Sequence, residues 1–206
     1  FIPKYYAANS KDSFNKLIEN QFPSKNIICL ESLRYYHLAR EKIKFINKSQ
    51  NLKNILIVSD YNDRSNDTII ELLNNTDDKI LQKFNITLKE HPLKKIKLRN
   101  LNINKNEKSL IELRKTNDIA IVSNTTSAIN DLVILGYDVI ALMDKSSINL
   151  SPLRGSKRIN FVENFHDILD LIDLKSKKIN NYIDESNHFY YYSEDLNLWQ
   201  KLINES

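Results

Sequence analysis

The sequence predicts a doubly wound α/β domain: a parallel sheet of about six strands with helices on both faces. Two patterns carry the prediction. Short β-branched apolar runs, each bounded by polar residues, recur along the 206 residues, as buried parallel strands do. Between them lie stretches whose apolar residues fall at helical spacing, and strands alternating with helices imply this architecture. A hydrophobic content of 41% is enough to fill the core of such a domain.

Taken in order, Phe14, Leu17 and Ile18 follow Ser10 as an opening helix after its cap. Strands are expected at 26–30 (NIICL), 54–60 (NILIVSD), 85–91 (NITLKEH), 118–123 (DIAIVS), 138–144 (DVIALMD) and 159–163 (INFVE). Ile69, Ile70, Leu72 and Leu73 mark the helix after the second run. Ile129, Leu132 and Val133 mark another, which should stop at Gly136, and Phe165, Ile168, Leu169 and Ile172 a third. A closing helix is expected at Leu198, Trp199, Leu202 and Ile203 after Asp195, and the tyrosine-rich HFYYYSED before it is expected to pack back on the domain. LRNLNINKNEKS (98–109) is the longest polar connection and is expected to be a mobile loop. With no internal repeat and no dividing linker, residues 1–206 are expected to form one domain with flanking helices.

Composition narrows the function classes. Thirty basic and 26 acidic residues give a net charge of +4, spread along the chain without the stripe that nucleic acid requires; anionic small molecules remain compatible. Cys29 stands alone, and no CxxC or His/Cys cluster offers metal ligands, so neither a disulfide nor a metal is expected and the compartment reads as reducing. No apolar stretch reaches the roughly 18 residues of a transmembrane helix, and the amino terminus lacks signal-peptide order. The expected location is cytoplasmic, either free or peripheral to the inner face of the membrane. Because the sequence begins at Phe1, a piece of a longer two-domain protein is expected. Only two glycines occur, so missing glycine motifs carry little weight.

Three strand ends carry candidate binding residues, because ligands of open parallel sheets bind where strand carboxyl ends meet helix starts. Ser123, Asn124, Thr125, Thr126 and Ser127 supply more side-chain oxygens than one helix cap needs; their hydroxyls and N–H groups suit a phosphate, although a capped helix with a solvated turn also accounts for them. His91, held extended by Pro92, can donate a hydrogen bond to phosphate, although a lone His-Pro more often marks a turn than a site. Ser59 and Asp60 end a third strand, where Asp60 can contact a ligand and capping and turn formation account for the stretch about as well. Glu90 and Arg154 rank lower, and no catalytic residue is assigned.

The His-Pro after one strand and the Ser/Thr run after the next resemble the paired motifs in the nucleotide-binding half of GT-B glycosyltransferases. These include bacterial sialyltransferases, Kdo transferases and teichoic-acid polymerases. The resemblance implies a Rossmann-like domain of the GT-B carboxyl-terminal type. It implies contact between a CMP- or CDP-activated sugar and His91, Pro92, Ser123, Thr125, Thr126 and Ser127. It also implies a glycan acceptor, a partner half upstream of this chain holding the catalytic base, no further cofactor, and a place in bacterial surface-polysaccharide synthesis. ICLESLRYYHL (28–38) and DLNLWQKLI are similar to surface-carbohydrate biosynthesis proteins of the same type. Two other readings stand beside it: a GT-B-shaped sugar-nucleotide epimerase, and a receiver-like signalling module with Glu90, the hydroxyl run and Lys145 on successive strand ends. The receiver reading lacks the phosphoacceptor aspartate and the acidic pair for magnesium.

Overall fold

The computed structural model describes residues 3–39, 53–98, 103–143, 148–151, 153–156, 159–176, 190–191 and 193–205. The chain forms two compact units, residues 1–42 with 182–206, and residues 43–181.

In the first unit β1 (Tyr6–Ala8) pairs in parallel with β2 (Ile27–Cys29), joined by α1 (Lys11–Glu19). Ser10 caps α1 by accepting the Ser13 N–H at 2.9 Å. The short α2 (Tyr36–Ala39) follows. The terminal helix, called α8 below (Asn197–Glu205), is anchored by the buried Glu31, whose carboxylate accepts the N–H groups of Leu198 at 2.9 Å and Trp199 at 3.2 Å. A carboxylate at a helix amino terminus meets free donors and the positive dipole end, and the Trp199 indole N–H closes the clamp on the Glu31 carbonyl at 3.0 Å. The described part of the tyrosine segment packs back within this unit, the Tyr190 ring lying 4.6 Å from that of Tyr35.

The second unit carries a six-stranded parallel sheet. Its strands are β3 (Lys53–Val58), β4 (Phe84–Lys89), β5 (Asn104–Lys105), β6 (Ile119–Ser123), β7 (Asp138–Leu142) and β8 (Ile159–Val162), in the order β5-β4-β3-β6-β7-β8. The interior strands β6 and β7 are buried along their whole length. Among the described residues five helices accompany the sheet: α3 (Asp63–Asn74), α4 (Asp78–Leu81), α5 (Leu110–Arg114), α6 (Ala128–Ile134) and α7 (Phe165–Ser176). Ile69 and Leu73 of α3 and Ile168 and Ile172 of α7 bury their apolar faces against Ile55, Ile57, Ile121 and Ile140. Gly136 ends α6 with a left-handed φ of 79°, the conformation glycine adopts without strain. Among the described residues no helix is long and apolar enough to cross a membrane.

The architecture is the expected Rossmann-like α/β sheet, with two differences in membership. NIICL does not join the six strands; it pairs with Tyr6–Ala8 instead. The sixth place goes to Asn104–Lys105, inside the connection expected as a mobile loop, whose residues 99–102 lie outside the described ones. A two-residue polar edge strand has no hydrophobic period to announce it. Chain direction then places the ligand edge. From β3 the chain moves outward to β4, and from β6 it moves the opposite way to β7; right-handed crossovers therefore put α3 and α4 on one face and α6 on the other. The helices part between β3 and β6, and there a crevice opens at the carboxyl edge.

Candidate functional site at the carboxyl edge between β3 and β6

The end of β3 ties the edge together. Ser59 is buried, and its Oγ accepts the His91 N–H at 2.8 Å. Asp60 is gripped by Asn66 of α3: its N–H donates to Asn66 Oδ1 at 2.8 Å, and Asn66 Nδ2 donates to its carbonyl at 2.8 Å. Both backbone groups of one residue are thereby satisfied by one side chain that is only 3% exposed. The Asp60 carboxylate is then aimed by the Tyr61 N–H at 2.7 Å and the Thr125 hydroxyl at 2.9 Å. The sequence reading missed Asn66. Its signal was legible, since Asn66 occupies the first place of the apolar stripe Asn66, Ile69, Ile70, Leu73, where a polar residue needs a partner.

The Ser/Thr run does more than cap a helix. Ser127, at the cap position of α6, makes no side-chain hydrogen bond to that helix; Thr126 reaches the Ala128 N–H at 3.4 Å. Ser123 and Thr125 face β3 instead. Thr125 Oγ1 lies 2.8 Å from Ser123 Oγ and 3.0 Å from Ser65 Oγ of α3, in addition to its bond to Asp60. The Asn124 N–H continues the sheet ladder to the Leu142 carbonyl at 3.0 Å. Its side chain is 2% exposed, and its Nδ2 is buried without a hydrogen-bond partner. A buried unmatched donor costs about 1–3 kcal/mol. Asn62, Arg64, Ser65, Ser123, Asn124 and Thr125 are among the residues lining a cleft of about 160 Å³.

On the other side of β3, His91 begins a turn closed by the Lys94 N–H on its carbonyl at 3.0 Å, with Pro92 inside the turn. Its Nδ1 accepts the Leu93 N–H at 3.2 Å, so in the neutral imidazole Nε2 carries the proton and is the donor. Tyr61 stands edge-on to the ring at 5.6 Å. Lys94 binds Asp63 at 2.6 Å, tying the turn to the start of α3, and this hydrogen bond raises the Lys94 pKa.

Glu90 lies apart from the crevice. Its Oε1 accepts the Ile96 N–H at 2.7 Å and the Lys105 ammonium at 3.0 Å. Burial pushes its carboxyl up, but these bonds outweigh burial and hold it below the ordinary range. With Lys89, Lys95, Lys105 and Glu107 it lines a groove of about 550 Å³ beside β5. Those charges largely answer one another, with Lys95 3.8 Å from Glu90 and 3.6 Å from Glu107. Lys89 is pushed down by burial and donates to the Lys108 carbonyl at 2.6 Å. Arg154 is exposed in a turn and is not among the residues lining either cleft.

The structure thus gathers Ser59, Asp60, Ser123, Asn124 and Thr125, and adds Asn66 and Ser65. His91 and Ser123 do not end adjacent strands; β3 separates them and bonds to both sides. Thr126 and Ser127 lead into α6, while Glu90 and Arg154 stand elsewhere.

The sequence matches no protein-family model and no curated protein sequence. The fold is found in solved structures. The UDP-GlcNAc 2-epimerase of Methanocaldococcus jannaschii, in complex with UDP-GlcNAc and UDP, superposes with a TM-score of 0.64 at 14% identity over 98% of this chain and 61% of its own. The UDP-GlcNAc 2-epimerase of Neisseria meningitidis bound to UDP-GlcNAc superposes with a TM-score of 0.58 at 16% identity over 98% and 60%. This chain therefore spans about three fifths of the length of these enzymes and shares their Rossmann-like α/β fold.

Proposed function

We propose that the unit formed by residues 43–181 binds a nucleotide-activated sugar at its carboxyl edge, as the donor-binding part of a GT-B glycosyltransferase. The observation that supports this reading best is the buried, unmatched amide of Asn124 beside the Ser123–Thr125–Ser65 hydroxyls, in the crevice between β3 and β6. Strand orders that reverse at such a point bind nucleotides there, and an orphan donor at the wall suits an anionic ligand. His91, with Nε2 as its donor nitrogen, is proposed to reach the phosphate. The His-Pro and Ser/Thr motifs support a CMP- or CDP-linked donor and a role in bacterial surface-polysaccharide synthesis. Transfer to an acceptor would need the second half of such an enzyme.

The structural neighbours support a second reading, a sugar-nucleotide epimerase acting on a UDP-linked sugar. The receiver module is disfavoured by Glu90, which stands at its phosphoacceptor place and is held by the Ile96 N–H and Lys105 apart from the crevice. Thermal-shift measurements with CMP, CDP, UDP, UDP-GlcNAc and GDP test these readings. A ligand at a hundredfold excess over its Kd should stabilise the chain by about 2.7 kcal/mol. Stabilisation by cytidine nucleotides is the result expected for the transferase, and stabilisation by UDP and UDP-GlcNAc favours the epimerase. No stabilisation by any of them overturns nucleotide binding.

A further inference from the structure

We propose that the Asp60 carboxylate and the Ser65 hydroxyl form a hydroxyl-recognition subsite, which takes adjacent ring hydroxyls of the sugar-nucleotide, on its ribose or on its activated sugar. The proposal rests on the nucleotide-binding reading and goes beyond it in saying which part of the ligand these two residues read.

A count of protons leads to it. Thr125 has one hydroxyl proton and donates it to Asp60 Oδ2 at 2.9 Å, because a carboxylate oxygen only accepts. The contacts of Ser65 and Ser123 with Thr125 Oγ1, at 3.0 and 2.8 Å, are then made with the serine protons. Thr125 Oγ1 is thereby saturated. Ser123 is buried, and its oxygen is also spent within the loop, accepting the Thr125 N–H at 3.2 Å. What remains for a ligand only accepts. Ser65 Oγ has given up its proton and keeps its lone pairs. The Asp60 carboxylate has about four acceptor sites and receives two donors, the Tyr61 N–H and the Thr125 hydroxyl.

A negatively charged array of acceptors repels a phosphate and matches a neutral donor. Among the described residues no three His, Cys, Asp or Glu side chains gather to hold a metal ion. In a sugar-nucleotide the paired neutral donors are the adjacent hydroxyls of its rings, and the two oxygens of one carboxylate can take two donors side by side. Hydroxyl-to-carboxylate bonds are of the strong, charge-assisted kind. The array is fixed before a ligand arrives: Asn66 holds both backbone groups of Asp60, so recognition costs little reordering. The opposite polarity stands close by. The cleft lined by Ser65 and Thr125 is also lined by Asn124, which is 2% exposed and whose Nδ2 donor has no partner. Acceptors on β3 and α3 with a donor after β6 give the ligand a direction, ring hydroxyls toward Asp60 and phosphate toward Asn124.

The test is calorimetric titration of the full chain with UDP, CDP, their 2′-deoxy forms and UDP-GlcNAc, for the wild type, Asp60→Asn and Ser65→Ala. Asp60 is partly exposed, so water competes for it, and the preference expected of the wild type is about tenfold. It appears either as UDP and CDP over their deoxy forms, which assigns the ribose, or as UDP-GlcNAc over UDP, which assigns the activated sugar. Asp60→Asn should bring the preferred pair to within about threefold of each other, and Ser65→Ala should narrow the gap in part. A wild type with neither preference overturns the subsite and leaves nucleotide binding standing. A preference that survives in Asp60→Asn also overturns it, as does tighter binding of UDP and CDP by that variant, which makes Asp60 a repulsive neighbour. Absence of binding by every ligand overturns the nucleotide reading together with the subsite. Melting curves of the ligand-free variants establish that each is folded; should Asp60→Asn unfold, an unchanged preference in Ser65→Ala overturns the subsite by itself.

Discussion

The two edges of the six-stranded sheet are built on opposite plans. At the amino edge, the buried Arg114 donates to the Leu135, Asn117 and Gly136 carbonyls at 3.2, 3.2 and 3.3 Å and to Asp118 at 2.9 Å. Its guanidinium lies over the Tyr137 ring, and the Tyr137 hydroxyl, its pKa raised by burial, donates to the Leu110 carbonyl at 2.8 Å. One cation thus closes the turns that enter β6 and β7. At the carboxyl edge, β6 runs into hydroxyls and a buried amide without a partner, and its neighbour β3 into a carboxylate whose partners are neutral. Matched buried groups hold a fold. An unmatched one costs stability that a ligand can return.

Removing the cation of the amino edge should have the largest effect. Arg114→Ala strands the acceptors it served and should cost about 3–5 kcal/mol, as breaking a buried charged pair does. Urea unfolding measures this, and a loss under 1 kcal/mol would break the contrast between the edges. The hinge between stability and binding is Asn66. Asn66→Ala leaves both backbone groups of Asp60 without partners and should cost about 2–3 kcal/mol of stability while weakening nucleotide affinity. Affinity unchanged in calorimetry would remove Asp60 from the site.

His91→Ala should weaken nucleotide binding by about 1.5–3 kcal/mol if Nε2 makes a charge-assisted bond to phosphate. Its stability should change far less, so parallel melting and titration separate the two roles. Asn124→Ala sharpens the comparison most. Deleting an unmatched donor should leave the ligand-free chain within about 1 kcal/mol of wild type, or stabilise it, yet lower its affinity; a large loss of stability would show that the amide is matched after all.

The smallest effect is expected at Glu90. Because its folded pKa is depressed, its contribution is complete above the ordinary glutamate value of about 4.3 and is lost as pH falls through the lower folded value. Glu90→Gln should therefore be less stable than wild type at pH 7, by under about 1 kcal/mol for partners so exposed. The difference should vanish in acid.

By itself the sequence determined what is local. The apolar runs at 54–60, 85–91, 118–123, 138–144 and 159–163 each became a strand of one parallel sheet, with ends displaced by a residue or two, because a β-branched buried run is stable in few other conformations. Ser10 and Gly136 marked helix ends, since caps and left-handed turns are set by a few neighbouring residues. The carboxyl edge was legible as a place, and Ser123, Asn124, Thr125, Ser59 and Asp60 as its residues, because strand ends in such sheets are known in advance. Only the tertiary structure decided what those residues face. The pairing of NIICL with Tyr6–Ala8, the capture of Asn104–Lys105 as an edge strand, the bond of Ser59 to His91, and the meeting of Asp60 with Thr125 and Asn66 all depend on which chains lie side by side. That choice rests on long-range packing, with 32 positions between Ser59 and His91 and 65 between Asp60 and Thr125; no local period or cap records it.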